Sequence, residues 1–355
     1  MLEDNERAAW LALLFGGQVK RQAAKAMLQR WCVLGNKPAA ELLTLKPEEC
    51  AAFGLDTEQA AALSAVAAAL PIWAERLPRL AAQDIDLVLR VDAAYPDLLP
   101  QRLPEAQLPY VLFAQGNLTL LGEPALAVAG SPQPSELAAQ ATEALVTALA
   151  REGQTLLGGH EPGIDRLALD CAWRAGGSTV CVIGQGLEGA QGLLGHASAE
   201  LSAGRALFLS PYLPEQAASA ALGQARLPLI TALSEALVLV EPAMAPGDWP
   251  GYSEAHASGL PTLVWSGAGA APEAWLAARA MPFDDAEAAC TLLSAGAPAV
   301  AAPAAQSGCA DEPELYRSPE YRDAESALDA LRRAGAVPPA LARRLRATGW
   351  PPGRS

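Results

Sequence analysis

From Ala125 onward, short apolar runs alternate with longer stretches in which apolar positions recur at helical spacing. ALAVAGS (Ala125–Ser131) reads as a strand ending in a turn, and ELAAQATEALVTALAREG as a helix ending at Gly153. TLLGG is a strand, IDRLALDCAWRAGG a helix, and STVCVIGQG a strand ending at Gly184. RALFLSPY, a helix around Gln216–Ala232, the strand EALVLVEP (Glu235–Pro242), a short helix near Ser253–Ser258 and PTLVWSG complete the series. Runs with no polar face suit strands covered on both sides, and helices between them provide parallel crossovers. The pattern predicts an α/β fold: a doubly wound, mostly parallel sheet. Ligands of such sheets sit at the carboxyl ends of the strands.

The flanks read differently. Residues 1–80 predict a small helical domain with turns at Gly16-Gly17 and Gly54, resembling helix-hairpin-helix or SAM-like units. Lys20, Arg21 and Lys25 follow the first glycines, where such units grip a nucleic-acid backbone; a solvated basic face is an equally open reading. Residues 81–295 form the core with its lead-in, whose Pro-rich middle rules out a continuous helix and whose YVLFAQG (Tyr110–Gly116) reads as an edge strand. The low-complexity run at 296–314 predicts a linker, and 315–355 a short basic helical tail, comparable with a helix-turn-helix-like appendage or else a solvated tail.

Charge sharpens the picture. The net charge is −14, yet all four lysines lie in the first fifty residues. Between Ala125 and Ala295, 6 arginines face 17 carboxylates, a net of −11, whereas Arg317–Ser355 is +4. A polyanion would be repelled by the middle and accepted only by local patches or the ends, including the Arg332–Arg346 cluster. The six cysteines are scattered without a C-x-x-C pair, and the three histidines are far apart in sequence. His160-Glu161 has no second histidine at metal-ligand spacing and reads as a polar loop pair, so no metal site and no cofactor are expected. Ser131, Ser210 and Ser253 lack a nearby His–Asp partnership, so no catalytic residues and no enzyme activity are expected. The acidic start MLEDNERAAW is unlike a secretory n-region, and the Ala-rich run Ala60–Trp73 reads as too short to span a bilayer. A cytoplasmic protein without membrane contact is the expectation.

The strand-end turns carry the most specific signal. VAGS (Val128–Ser131), GG-x-x-x-GID (Gly158–Asp165), IGQGLE (Ile183–Glu188) and RLPLITALSEALVLVE (Arg226–Glu241) follow the lead-in YPDLLPQRLPEAQLPYVLFAQGN. In that order and spacing they resemble the DNA-processing protein A (DprA/Smf) family, over about residues 6–267. There the stretches read roughly V-G-S-R, S-G-x-A-x-G-I-D, L-G-x-G-L-D and R-N-R-I-I-x-x-L-S-x-x-x-x-V-V-E, after Y-P-x-x-L and P-x-x-L-F-x-x-G-N. The resemblance implies an extended Rossmann core that dimerises, binds single-stranded DNA and loads the RecA recombinase onto it during natural transformation. It implies nucleic-acid contacts at Gly130, Ser131, Gly158, Gly159, Gly163 and Arg226, with Asp165, Gly184 and Gly186 shaping the turns.

The departures are equally specific. Pro132 and Pro162 stand where the family carries arginines, Arg226 is followed by Leu227 and Pro228, and the Ser/Thr-rich turn is PGDWPGY (Pro246–Tyr252), keeping only Gly247. Each lost arginine removes a bidentate phosphate partner, and proline supplies no N–H. Two other readings stay open: a degenerate paralogue keeping a protein partner but not DNA, and a Rossmann protein binding a nucleotide derivative. The latter lacks the P-G-G-x-G-T-x-x-E turn of phosphoribohydrolases.

Overall fold

The structure is a computed structural model that describes residues 4–267 and 272–295. The linker and the two basic tail helices expected beyond 295, with the Arg332–Arg346 cluster, lie outside the described residues. Among the described residues nine strands form one sheet: β1 (Asp86–Leu89), β2 (Val111–Gly116), β3 (Ala125–Gly130), β4 (Thr155–Gly158), β5 (Thr179–Val182), β6 (Ala206–Ser210), β7 (Ala236–Val240), β8 (Thr262–Trp265) and β9 (Met281–Phe283). Their order is β1-β2-β6-β5-β4-β3-β7-β8-β9. The seven strands from β6 to β9 in that order run parallel, and β1 and β2 are antiparallel additions at one end. Leu126 of β3 registers with Leu156 of β4 on one side and Ala236 of β7 on the other.

The chain winds outward from β3 to β6, then crosses back to place β7 beside β3. Right-handed crossovers in the two directions put their helices on opposite faces. That reversal makes the carboxyl ends of β3 and β7 the sheet's switch point. The glycine turns at Gly130, Gly158–Gly163 and Gly184–Gly186 all follow the carboxyl ends of parallel strands, so they share one edge. β4 to β8 are buried along their whole length, which is why their sequences carry no polar alternation. Truncating a fully buried residue here, such as Phe208, would cost about 3–5 kcal/mol.

Several sequence expectations change in detail. β2 is not an edge strand: Phe113 registers with Leu87 of β1 and Ser210 of β6. The helix expected over Gln216–Ala232 is two, Ala220–Ala225 and Leu227–Leu233. Ser219 caps the first by accepting the Leu222 N–H, and Pro228, lacking an N–H, suits only the first turn of the second. The short β1 and β9, and the helix Ala286–Ser294, carried too few residues to register as periodic segments.

The N-terminal helices belong to the same compact unit as the sheet. The Asp4–Phe15 helix sets Trp10 against Tyr110 and Phe15 against Phe113, at ring separations of 6.1 and 6.0 Å. Its buried Glu6 accepts the Trp10 indole N–H and the Ala39 and Ala40 amides, so a carboxylate caps the Ala39–Leu42 turn from inside. By length and composition, the helical stretch Thr57–Ala81 is apolar enough to cross a membrane. Its Leu63, Val66 and Trp73 are buried, and its first part packs along the Asp4–Phe15 helix.

Candidate nucleic-acid interface at the carboxyl edge of the sheet

At the switch point, the turns after β3 and β7 close on each other. β3 ends at Gly130, where a Cβ would overlap the Val240 carbonyl, and Ser131 then donates its N–H to that carbonyl at 3.2 Å. The Ser131 hydroxyl accepts the Gln133 amide. Glu241, immediately after β7, adopts a left-handed φ of 47° and turns its carboxylate onto Ser135. It accepts the Ser135 N–H at 2.9 Å and the Ser135 hydroxyl. Ser135 is the N-cap of the Glu136–Arg151 helix. The helix end at which Rossmann folds ordinarily receive a phosphate therefore has a carboxylate of the chain itself beside it.

The turn after β4 is closed the same way. Position 163 requires glycine twice over: its φ is 98°, and a Cβ there would run into Ser131 O and Pro132. That conformation starts the Ile164–Arg174 helix, and Asp165 in its first turn reaches back into the loop. One Asp165 oxygen accepts the Gly159 N–H at 2.8 Å, the other the Glu161 N–H at 3.1 Å. Burial pushes the Asp165 carboxyl above its ordinary range, opposed by the Gly159 amide and the Arg226 charge.

Arg226 lies beneath this turn and is only 2% exposed. Its Nε donates to Val182 O at 2.9 Å and its Nη1 to Gly223 O at 2.7 Å. Glu161 and Asp165 are its ion-pair partners, at 3.2 and 3.5 Å. Gly159 is glycine for contact: a Cβ would overlap the guanidinium. The sequence expectation of Arg226 as a phosphate ligand is therefore corrected; burial and four protein oxygens hold it inside. Gly184 packs on Gly223, and Gly186 donates its N–H to Gln216 O at 2.8 Å, tying the β5 turn to the segment after β6. The turn segments 131–135, 159–163, 183–190, 211–219 and 241–251 contain no lysine or arginine, and carry Glu161, Glu188, Glu215, Glu241 and Asp248.

Cations reach this edge from the N-terminal helices. The Arg21–Leu28 helix, the lead-in at Leu103–Pro109, Pro211-Tyr212 after β6 and Pro228-Leu229 line a cleft of about 460 Å³. Lys20 and Arg21 are exposed. Lys25 is not a free cation, contrary to its reading from sequence. It is 7% exposed, and its Nζ donates to Ala106 O at 2.8 Å and Glu105 O at 3.3 Å. Burial, aided by the Arg21 charge, lowers its pKa to about 8. Tyr212 offers a half-buried ring whose hydroxyl donates to Leu222 O.

The fold also assembles a group that sequence reasoning missed. His160 does not pair with Glu161; its Nε2 lies 2.9 Å from Asp170 Oδ1, and His196 Nε2 lies 3.2 Å from the same oxygen. The three ligand atoms fall within 4.8 Å of one another, an arrangement that the separate sequence positions did not suggest. Their spacing in sequence gave no signal, because two separate helices and a loop supply them.

Residues 86–289 match the family of DNA recombination-mediator protein A. A stretch of 93 residues is 39% identical to the DNA processing protein DprA of Streptococcus pneumoniae (strain ATCC BAA-255 / R6); it makes up 26% of this chain and 33% of that relative's length. The X-ray structure of DNA processing protein A from Streptococcus pneumoniae superposes with a TM-score of 0.58 at 19% identity, covering 82% of this chain and 98% of that one. DNA processing protein A from Helicobacter pylori, whose structure addresses its single-stranded DNA binding mode, gives 0.48 at 21% identity, covering 60% and 97%. The pneumococcal structure shares the fold.

Proposed function

This chain belongs to the DNA recombination-mediator protein A family, and on that premise we propose that it binds single-stranded DNA. In this reading it acts as a cytoplasmic homodimer, without enzymatic activity, and loads RecA during DNA uptake. The observation that carries the reading is the cleft between the Arg21–Leu28 helix, the carboxyl end of β6 and the start of the Leu227–Leu233 helix. Exposed Arg21 supplies positive charge there, with exposed Lys20 next to it in the chain, and Tyr212 supplies an aromatic face. Cationic grooves with stacking rings suit single strands, because every base has a π-face and every nucleotide a phosphate. Gly130, Ser131, Gly158, Gly159 and Gly163 then act as shape, letting backbone and strand approach, while Asp165, Arg226, Gly184 and Gly186 hold the turns.

The test is oligo-dT binding followed by fluorescence anisotropy across a salt series. Lys20→Ala with Arg21→Ala should weaken binding and reduce the salt slope by roughly 0.7 per lost contact. RecA filament growth on the DNA, with and without the protein, tests the loading role. Unchanged affinity and slope in the double variant would defeat the cleft assignment. A second reading, a family member that has lost DNA binding, is favoured by the carboxylates of Glu241 and Asp165 at the two turns. Absence of any salt-dependent oligonucleotide binding by the parent would establish it.

A further inference from the structure

We propose that His160, Asp170 and His196 form a binding site for a divalent transition-metal ion of the zinc type. His160 lies two residues beyond β4, Asp170 on the Ile164–Arg174 helix and His196 at the end of the Gln191–His196 helix. His160 Nε2 and His196 Nε2 stand 2.9 and 3.2 Å from Asp170 Oδ1. Ligand atoms around a tetrahedral zinc ion with bonds of about 2.0–2.1 Å are roughly 3.3 Å apart, so these separations are close to what an ion requires. Two imidazoles and a carboxylate are a zinc donor set, and they disfavour magnesium or calcium, which take oxygen ligands.

Two further observations separate this group from a chance cluster. His160 has a φ of 57°, a left-handed conformation uncommon outside glycine, and this backbone carries its ring to Asp170. The rings also rest on a fixed platform. Trp173 stacks on His160 with centroids 5.3 Å apart and meets His196 edge-on at 5.6 Å. Its indole N–H donates to Thr179 Oγ1 at 2.7 Å, which anchors the platform to β5. The His160 side chain is 10% exposed and His196 58%, so the group is walled on one side and open on the other. Three ligands with an open face leave a coordination position for water or an exogenous oxygen ligand. Binding requires both Nε2 lone pairs to face the ion, with the ring protons on Nδ1.

The untagged full-length chain, stripped with EDTA, would be titrated with Zn2+ in competition with a chromophoric chelator, and separately with Co2+ to read its visible absorption. One ion per chain is expected, with tetrahedral-type cobalt bands and a melting temperature that rises with Zn2+. His196→Ala, at an exposed position that should not disturb folding, and Asp170→Asn should each weaken Zn2+ binding at least tenfold. Both should also abolish the zinc-dependent rise in melting temperature. No uptake by the parent at micromolar Zn2+ would mean that the three side chains are only a hydrogen-bonded tie between helices. Parent-like affinity in either variant would overturn the assignment as well.

Discussion

The turn after β4 and the cleft beside the Arg21–Leu28 helix lie at the same edge of one sheet, yet they use charge in opposite ways. In the turn, Arg226 is buried among Val182 O, Gly223 O, Glu161 and Asp165, and the amides of Gly159 and Glu161 are taken up by Asp165. In the cleft, Arg21 is exposed beside a tyrosine and several prolines, although its guanidinium lies over the Phe15 ring and burial lowers its pKa, and exposed Lys20 precedes it in the chain. A charge surrounded by its own counter-charges stabilises a loop and offers nothing to a ligand. A charge left in water does little for the fold and is available to a partner. Under the proposed function the glycine turns preserve a shape, and recruitment of a polyanion is assigned to the N-terminal helices.

The largest expected effect comes from breaking the buried side of this contrast. Arg226→Ala leaves Asp165 without its buried counter-charge and should destabilise the protein by about 3 kcal/mol, read from urea unfolding. If stability holds and oligonucleotide binding falls, Arg226 is a ligand-facing residue and the contrast fails. Asp165→Ala is expected to cost about 1–2 kcal/mol through its lost amide bonds, with DNA affinity of the folded protein unchanged. A clear affinity change at intact stability would return the turn to the binding surface. In the cleft, Arg21→Ala alone should stay within about 0.5 kcal/mol of the parent in stability while lowering the salt slope of oligo-dT binding.

A pH series sharpens the boundary inside the cleft, where Lys25 belongs to the buried class. Its pKa falls from 10.5 to about 8 on folding, chiefly by burial. Between those values the unfolded chain holds the proton more tightly than the folded one, so stability should rise as pH increases from about 8 to 10.5. Lys25→Met should remove that rise in a series of denaturation midpoints. Persistence of the rise in the variant would place its origin elsewhere.

The sequence by itself determined the parallel strands β3 to β8, most of their crossovers and the glycine positions, because each rests on local facts, whereas the short β1 and β9 and the internal place of β2 did not show in it. Uninterrupted apolar runs such as ALVLV and TLVW suit only a sheet covered on both faces, and a turn needing φ of 98° at Gly163 admits little else. It also exposed the missing cations, since Pro132 and Pro162 can be read directly. What a charged side chain faces depends on where distant segments meet, and tertiary structure alone decided that. Arg226 reads as a surface remnant until the crossover from β6 to β7 lays it under Gly159. Glu241 reads as the end of a strand until β7 pairs with β3 and brings it to Ser135. His160, Asp170 and His196 read as unrelated until two helices and a strand-end loop converge on one carboxylate oxygen. The physical reason is range: backbone preference and hydrophobic periodicity act over a few residues, whereas electrostatic and ligand geometry is set by contacts between segments tens of residues apart.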